Sequence, residues 1–305
     1  MTQANGVTKV DLDKVLATAQ LPALPQSAIS LLELSQNPKN GPDEFAVPIE
    51  ADPGLTGQVL KFVNSSYFGF AREISNVKHA ITMVGIRTIK NFALWSAVFS
   101  LMPNPKCGPF DLKSLWQDSL RRGLFARNMA KLLGLKDAEE PFAAALLQDM
   151  AVPLLAKEFS SVYEKLLVKR DGGRIRLSDF EMQVFGWTHA DAAAKMAQQW
   201  NLPADFVQLV ACHTHLSELL QEQPRDAARV SVALSSMLPA GADANWYECA
   251  EFDDYYRSLA PNGPSTLEML GQVDNDFAEF APVLKLAKPA KSLVECFQEM
   301  AAPVA

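Results

Sequence analysis

The octapeptide Met102-Pro103-Asn104-Pro105-Lys106-Cys107-Gly108-Pro109 cannot be crossed by a helix, because each proline removes an amide donor and crowds the preceding turn. On both sides of it, apolar residues recur at helical spacing. Leu55, Val59, Leu60 and Val63 form one stripe behind Asp52-Pro53, where an aspartate able to cap free amides precedes a proline suited to the first helical position. Ser75 or Asn76 opens the next helix, which closes at Gly85, and a further one runs from about Arg87 to Leu101. Beyond the prolines a long helix is expected from Leu112 to Leu133, stopping at Gly134 in a Schellman-like ending. Glu140-Pro141 starts another, interrupted at Pro153. Ser178-Asp179-Phe180-Glu181 and Thr188-His189-Ala190-Asp191 both read as capping boxes. Asn201-Leu202-Pro203 then breaks the chain before an apolar helix that reaches His213. Past about Gly241 the sequence turns acidic and aromatic, with helices expected at Ser265 to Phe280 and Ser292 to Met300. With no convincing set of strands, the expected fold is all-α. It comprises two helical lobes and a C-terminal helical extension, divided as 1–105, 106–240 and 241–305.

A chain of 305 residues with 49% hydrophobic and 21% charged side chains can bury proper cores and is no disordered segment. Its net charge of −7 lacks the basic excess that displaces counterions from phosphate, so no nucleic-acid partner is expected. Cys107, Cys212, Cys249 and Cys296 lie far apart with no Cys-x-x-Cys pair, and read as reduced, packed thiols. The N-terminal Met-Thr-Gln-Ala-Asn-Gly shows no secretory pattern, and the longest apolar stretch, Phe92 to Met102, is too short to span a bilayer. A cytoplasmic protein without a membrane segment is expected.

Imidazole is the usual metal ligand and general base near neutral pH, so the four histidines each need consideration. His79 reads as a surface or capping residue. His213 and His215, two apart, face different ways unless the helix ends there, while His189 stands at a helix start with Asp191 nearby. Glycine-rich phosphate loops, His-Glu-x-x-His and Gly-x-Ser-x-Gly are all missing.

Two groups of motifs go further. The first is Leu24-Pro25, Asp52-Pro53-Gly54-Leu55, Asn64-Ser65-Ser66-Tyr67-Phe68-Gly69, Ile74, Ala80-Ile81 and Gly85. The second is Leu115-Trp116-Gln117-Asp118-Ser119, Ala145-Leu146-Leu147-Gln148-Asp149, Gly186-Trp187-Thr188-His189-Ala190, and Trp200-Asn201-Leu202-Pro203 followed by His213. Together, over roughly Leu21 to Leu238, they resemble the HD-related output domain (HDOD) family of bacterial signalling proteins. The second group is similar to HD-type metal phosphohydrolases, which implies an HD-like second lobe.

The resemblance also implies a damaged site. An active HD enzyme places a histidine on the long helix, a His-Asp pair on the next and an aspartate on a later one. The matching positions here are Asp118, Gln148-Asp149 and Ser235, while His189 survives and His213 remains from a frequent His-His pair. Gln148 is a weak neutral donor and Ser235 a poorer one for hard ions. Asp118, Asp149, His189 and His213 could still form a carboxylate-rich remnant suited to manganese or magnesium more than zinc. The simpler expectation is that these polar groups hydrogen-bond one another at the lobe interface and need no cofactor.

Three functions follow. The resemblance and the lost ligands favour a non-catalytic signalling module that recognises a partner protein or small signal. Asn64, Ser65, Ser66, Tyr67 and Phe68 form a candidate contact surface, or else a helix-ending turn whose aromatics fill the first core. A metal-dependent phosphohydrolase or cyclic di-GMP phosphodiesterase is the second, and a nucleotide-binding sensor using His189, His213 and Arg121 or Arg122 is the third.

Overall fold

The computed structural model describes residues 10–19 and 21–301, so the N-terminal hexapeptide lies outside it. Helices account for the regular structure, and no strand occurs among the described residues. Before the prolines come α1 (Leu12–Thr18), α2 (Gln26–Ser35), α3 (Pro42–Glu50), α4 (Pro53–Val63), α5 (Val77–Val84) and α6 (Ile86–Leu101). After them come α7 (Leu112–Leu132), α8 (Glu139–Leu147), α9 (Val152–Glu158), α10 (Ser160–Lys169), α11 (Leu177–Phe185) and α12 (His189–Gln199). The chain continues through α13 (Ala204–Ala211), α14 (Leu216–Leu219), α15 (Ala227–Ser235), α16 (Cys249–Leu259), α17 (Thr266–Phe280) and α18 (Leu293–Ala301). None of these helices is long and apolar enough to cross a membrane.

Local chemistry sets most boundaries where the sequence put them. The Asp52 carboxylate accepts from Leu55 N–H at 3.0 Å, and Asn76 and Asp111 cap α5 and α7 in the same way. Gly134 has φ +94°, and Leu135 N–H closes back on Ala130 C=O at 3.0 Å, the six-residue bond of a Schellman ending. At α12 the Asp191 carboxylate accepts from both Thr188 N–H and its hydroxyl. The capping box at Ser178 is not formed, because α11 starts two residues earlier, behind Arg176. Glu181 is thereby placed on the inward face, where it serves a different purpose. Helices α1, α3, α10, α14, α15 and α16 were not anticipated from periodicity, being short or irregular in pattern.

The core is organised around α7, with Leu120, Leu124, Phe125 and Met129 fully buried and α8, α15 and α17 packed on it. Gly123 permits the closest approach, since a Cβ there would stand 3.1 Å from Phe142 C=O and 3.2 Å from its ring. The two ends of the chain tie the array together. Trp187 Nε1–H donates to Val10 C=O and Trp200 Nε1–H to Pro22 C=O, at 2.7 and 3.0 Å, fixing the N-terminal segment on α12. In the C-terminal extension α17 packs on α7, and its last residue also reaches the first segment. Phe280 lies 5.3 Å from the Phe62 ring, 4.4 Å from Tyr67 and 6.0 Å from Phe142.

That contact accounts for the aromatic turn after α4. The Asn64 amide accepts from Ile74 N–H at 2.7 Å and donates to Ile74 C=O at 2.8 Å, pinning the loop 64–74. Phe68 meets Phe62 edge-on, Tyr67 packs against Phe280, and the Arg127 guanidinium bonds the Tyr67 hydroxyl and lies 4.0 Å from the Phe142 ring centre. Asn64 and Ser66 stay exposed, whereas Tyr67 and Phe68 are half-buried. Phe280→Ala is expected to cost about 3–5 kcal/mol, read as a lower urea midpoint with an unchanged denaturant slope.

Candidate metal centre

Three breaks in helical geometry build the site. Helix α8 ends at Leu147, and the turn Gln148–Ala151 before α9 carries Asp149. Gly186, in the left-handed conformation at φ +78°, stops α11 and lets α12 begin at His189. Helix α13 ends at Ala211, so His213 is released from the helical repeat that would set it opposite His215. His213 is buried, and His215 is only half-buried at the start of α14. His79 lies exposed on α5.

Asp149, His189 and His213 are all buried, and one donor atom from each lies within 4.8 Å of the other two. His189 Nε2 is 3.0 Å from His213 Nε2 and 3.3 Å from Asp149 Oδ1, and His213 Nε2 is 3.8 Å from that oxygen. Donors sharing one ion at bonds of about 2.1 Å stand roughly 3 Å apart, so the spacing fits a divalent ion. The outward ring nitrogens agree. His213 Nδ1–H donates to Val210 C=O at 2.7 Å, which leaves the Nε2 lone pair facing the cluster. His189 Nδ1 lies 2.6 Å from Glu181 Oε2, so it is the donor to that carboxylate, and its Nε2 faces His213. With His213 Nε2 an acceptor, the 3.0 Å contact requires a proton on His189 Nε2 as well. These contacts make His189 an imidazolium, and Nε2 must lose its proton to become a ligand.

The electrostatics agree with this assignment. Burial opposes a charged ring at His189, yet Glu181 and Asp149 outweigh it and raise the imidazole to about 10. Burial, reinforced by the charge of His189, lowers His213 to about 3. Burial would also raise Asp149, but the Arg122 guanidinium and the two imidazoles hold its carboxyl well below the usual range.

The other expected residues divide differently. Asp118 stays outside the cluster: both its oxygens accept from Gly241 N–H at 3.0 Å, and burial raises its carboxyl to about 6 against the pull of Arg122. Gln148 and Ser235 are fully buried and meet each other, the Ser235 hydroxyl donating to Gln148 Oε1 at 3.4 Å. Arg122 is bonded to Asp149 Oδ2, the oxygen turned away from the histidines. Arg121 instead turns to Lys291 C=O and Asp274, away from the cluster. The polar residues therefore meet among elements downstream of the prolines and not between the two expected lobes.

Sequence reasoning passed over Glu181, read as a cap, and Tyr163, whose hydroxyl donates to Glu181 Oε1. Their spacing to His189 follows no helical or motif rule, so only the fold brings them together. A cavity of about 390 Å³ opens above the cluster, within the range of small-molecule sites. Asp118, Arg122, Asp149, His189 and His213 line its floor, and Leu115, Val152, Leu167 and Trp246 its walls. Across its mouth, Arg170 pairs with Asp243 at 2.9 Å and Arg176 pairs with Glu248.

The titrations have a consequence for stability. His213, with an ordinary value of 6.5 and a folded value of about 3, stays neutral while the unfolded chain takes up its proton. Its contribution is complete above pH 6.5 and is lost as pH falls toward 3. Asp118, raised from 3.8 to about 6, acts in the opposite sense between those values. Urea midpoints for wild type and His213→Gln share the Asp118 effect, so their difference reports His213 together with its coupling to Asp149 and His189. The wild-type acid limb is expected to be the steeper one, and equal limbs would refute the assignment.

Comparisons with known proteins agree with this architecture. The HDOD domain family profile matches residues 21–216. An uncharacterized protein of Treponema pallidum (strain Nichols) is 25% identical over 209 residues, which cover 66% of this chain and 39% of that protein. The chain thus spans about two fifths of the length of the curated relative it matches. The crystal structure of an HDOD domain protein of unknown function from Geobacter sulfurreducens superposes with a TM-score of 0.69 at 19% identity, covering 91% of this chain and 99% of that one. A candidate phosphohydrolase from Shewanella amazonensis SB2B superposes with a TM-score of 0.63 at 20% identity, covering 97% and 100% of the two chains. At these identities the likeness is one of fold. The profile match over most of the chain carries the assignment, and the protein belongs to the HDOD family.

Proposed function

We propose that the chain is a non-catalytic signal-transduction module that holds one divalent ion on Asp149, His189 and His213 beneath a ligand-sized cavity. The observation that carries this reading is the Arg122 guanidinium on Asp149 Oδ2. A carboxylate that bridges two ions commonly gives one oxygen to each, and here one oxygen faces a fixed positive charge instead. The neighbouring positions that could add ligands are spent on other bonds, Gln148 with Ser235 and Asp118 with the Gly241 amide. An ion in this place would supply Lewis acidity and a fixed charge at the cavity floor. The chain's own residues orient it: Val210 C=O fixes His213, Arg122 turns Asp149, and the burial of all three donors limits water.

The expected preference for manganese or magnesium over zinc leaned on Asp118 as a donor. Two imidazoles and one carboxylate shift the preference away from magnesium toward transition ions, zinc and iron as well as manganese. In this reading the division 1–105, 106–240 and 241–305 stands as a functional organisation. The cavity receives a small signal, and a partner protein meets the surface around the exposed Asn64 and Ser66. Cys107, Cys212, Cys249 and Cys296 as free thiols suit the cytoplasm.

The test combines metal analysis with hydrolysis of cyclic di-GMP and a phosphomonoester. About one manganese per chain, abolished in Asp149→Ala, with no turnover is the expected result. Stoichiometric metal accompanied by turnover that disappears in Asp149→Ala would establish a phosphohydrolase instead. Arg122→Met is expected to tighten manganese binding by at least about tenfold, since a like charge is removed from the ion's surroundings.

A further inference from the structure

Glu181 is fully buried and forms no salt bridge with lysine or arginine among the described residues. Leaving water is costly for a carboxylate unless its oxygens are satisfied, so the bonds it makes show what it is retained for. Oε2 accepts from His189 twice, from the backbone N–H at 2.7 Å and from ring Nδ1–H at 2.6 Å. Oε1 accepts from the Tyr163 hydroxyl, and Tyr163 is itself fully buried on α10. A cap for α12 would need only the backbone bond, and Thr188 with Asp191 already forms the capping box. The second bond fixes the angle of the ring about its own helix and commits Nδ1 to being the donor, so Nε2 is the nitrogen turned toward His213 and Asp149.

We infer that Glu181, anchored by Tyr163, is the positioning residue of the metal centre, setting the orientation and tautomer in which His189 offers Nε2 to a divalent ion. The inference rests on the ion-binding reading above and assigns it a supporting shell. A carboxylate behind a ligating imidazole stiffens the ring and raises its basicity, and losing such a partner commonly lowers metal affinity by about 10- to 100-fold.

Cobalt(II) titration followed by visible absorption, on the full chain, tests it with Glu181→Gln and Tyr163→Phe. Glu181→Gln preserves shape while removing the charge, and it is expected to weaken cobalt binding by about 10- to 100-fold. Tyr163→Phe is expected to weaken it less. In proton spectra of the metal-free protein, the His189 Nδ1–H resonance is expected far downfield in wild type and Tyr163→Phe, and displaced upfield in Glu181→Gln. A purely structural role would lower the unfolding midpoint of Glu181→Gln while leaving cobalt affinity and this resonance unchanged, which overturns the inference. If wild type binds cobalt and Glu181→Gln binds it equally well, the positioning role alone fails. If wild type binds none, the ion-binding reading fails and the inference fails with it.

Discussion

The Asp149 carboxylate is shared between Arg122 on one oxygen and two imidazoles on the other. A buried carboxylate in so small a volume must be neutralised, and the surrounding elements each deliver part of that charge. The long helix α7 supplies Arg122, the start of α12 supplies His189, and the residues after α13 supply His213. Asp149, His189 and His213 would be misdirected without their local breaks: the turn after α8, the left-handed Gly186 and the end of α13 at Ala211. The packing of α8 on α7 through Gly123 then fixes how far apart these pieces sit. Much of the helical array can be understood as scaffolding for this one charged group.

Helices and their ends were legible in the sequence wherever local chemistry decides them. Asp52, Asn76, Asp111 and Gly134 mark boundaries because caps and left-handed glycines act within a few residues. The same logic misread Ser178-Asp179-Phe180-Glu181, whose spacing suits a capping box, because a tertiary demand outweighed the local one. Burying Glu181 between Tyr163 and His189 satisfies three donors, which a solvent-facing cap could not match. The candidate metal donors were legible only through family resemblance. Asp149, His189 and His213 are separated by tens of residues, and nothing in their spacing announces convergence. Asp118 shows the limit of such transfer: it stands on the expected helix beside the site, yet its carboxylate is taken by the amide of Gly241.

The opposite behaviour of the two histidines has a structural origin. His189 gives both nitrogens to acceptors and carries charge, whereas His213 spends Nδ1–H on a backbone carbonyl and keeps a lone pair. The proton shared at His189 lies between the carboxylates of Glu181 and Asp149 and balances their charge. The ion pairs of Arg170 with Asp243 and of Arg176 with Glu248 add charged groups to the cavity lining.

Anomalous diffraction at the manganese edge, from crystals grown with manganese, addresses the central claim most directly. A single peak bounded by Asp149, His189 and His213, with Arg122 still on the far carboxylate oxygen, is the expected result. Two peaks sharing Asp149 with Arg122 displaced, or no peak at the cluster, would contradict it.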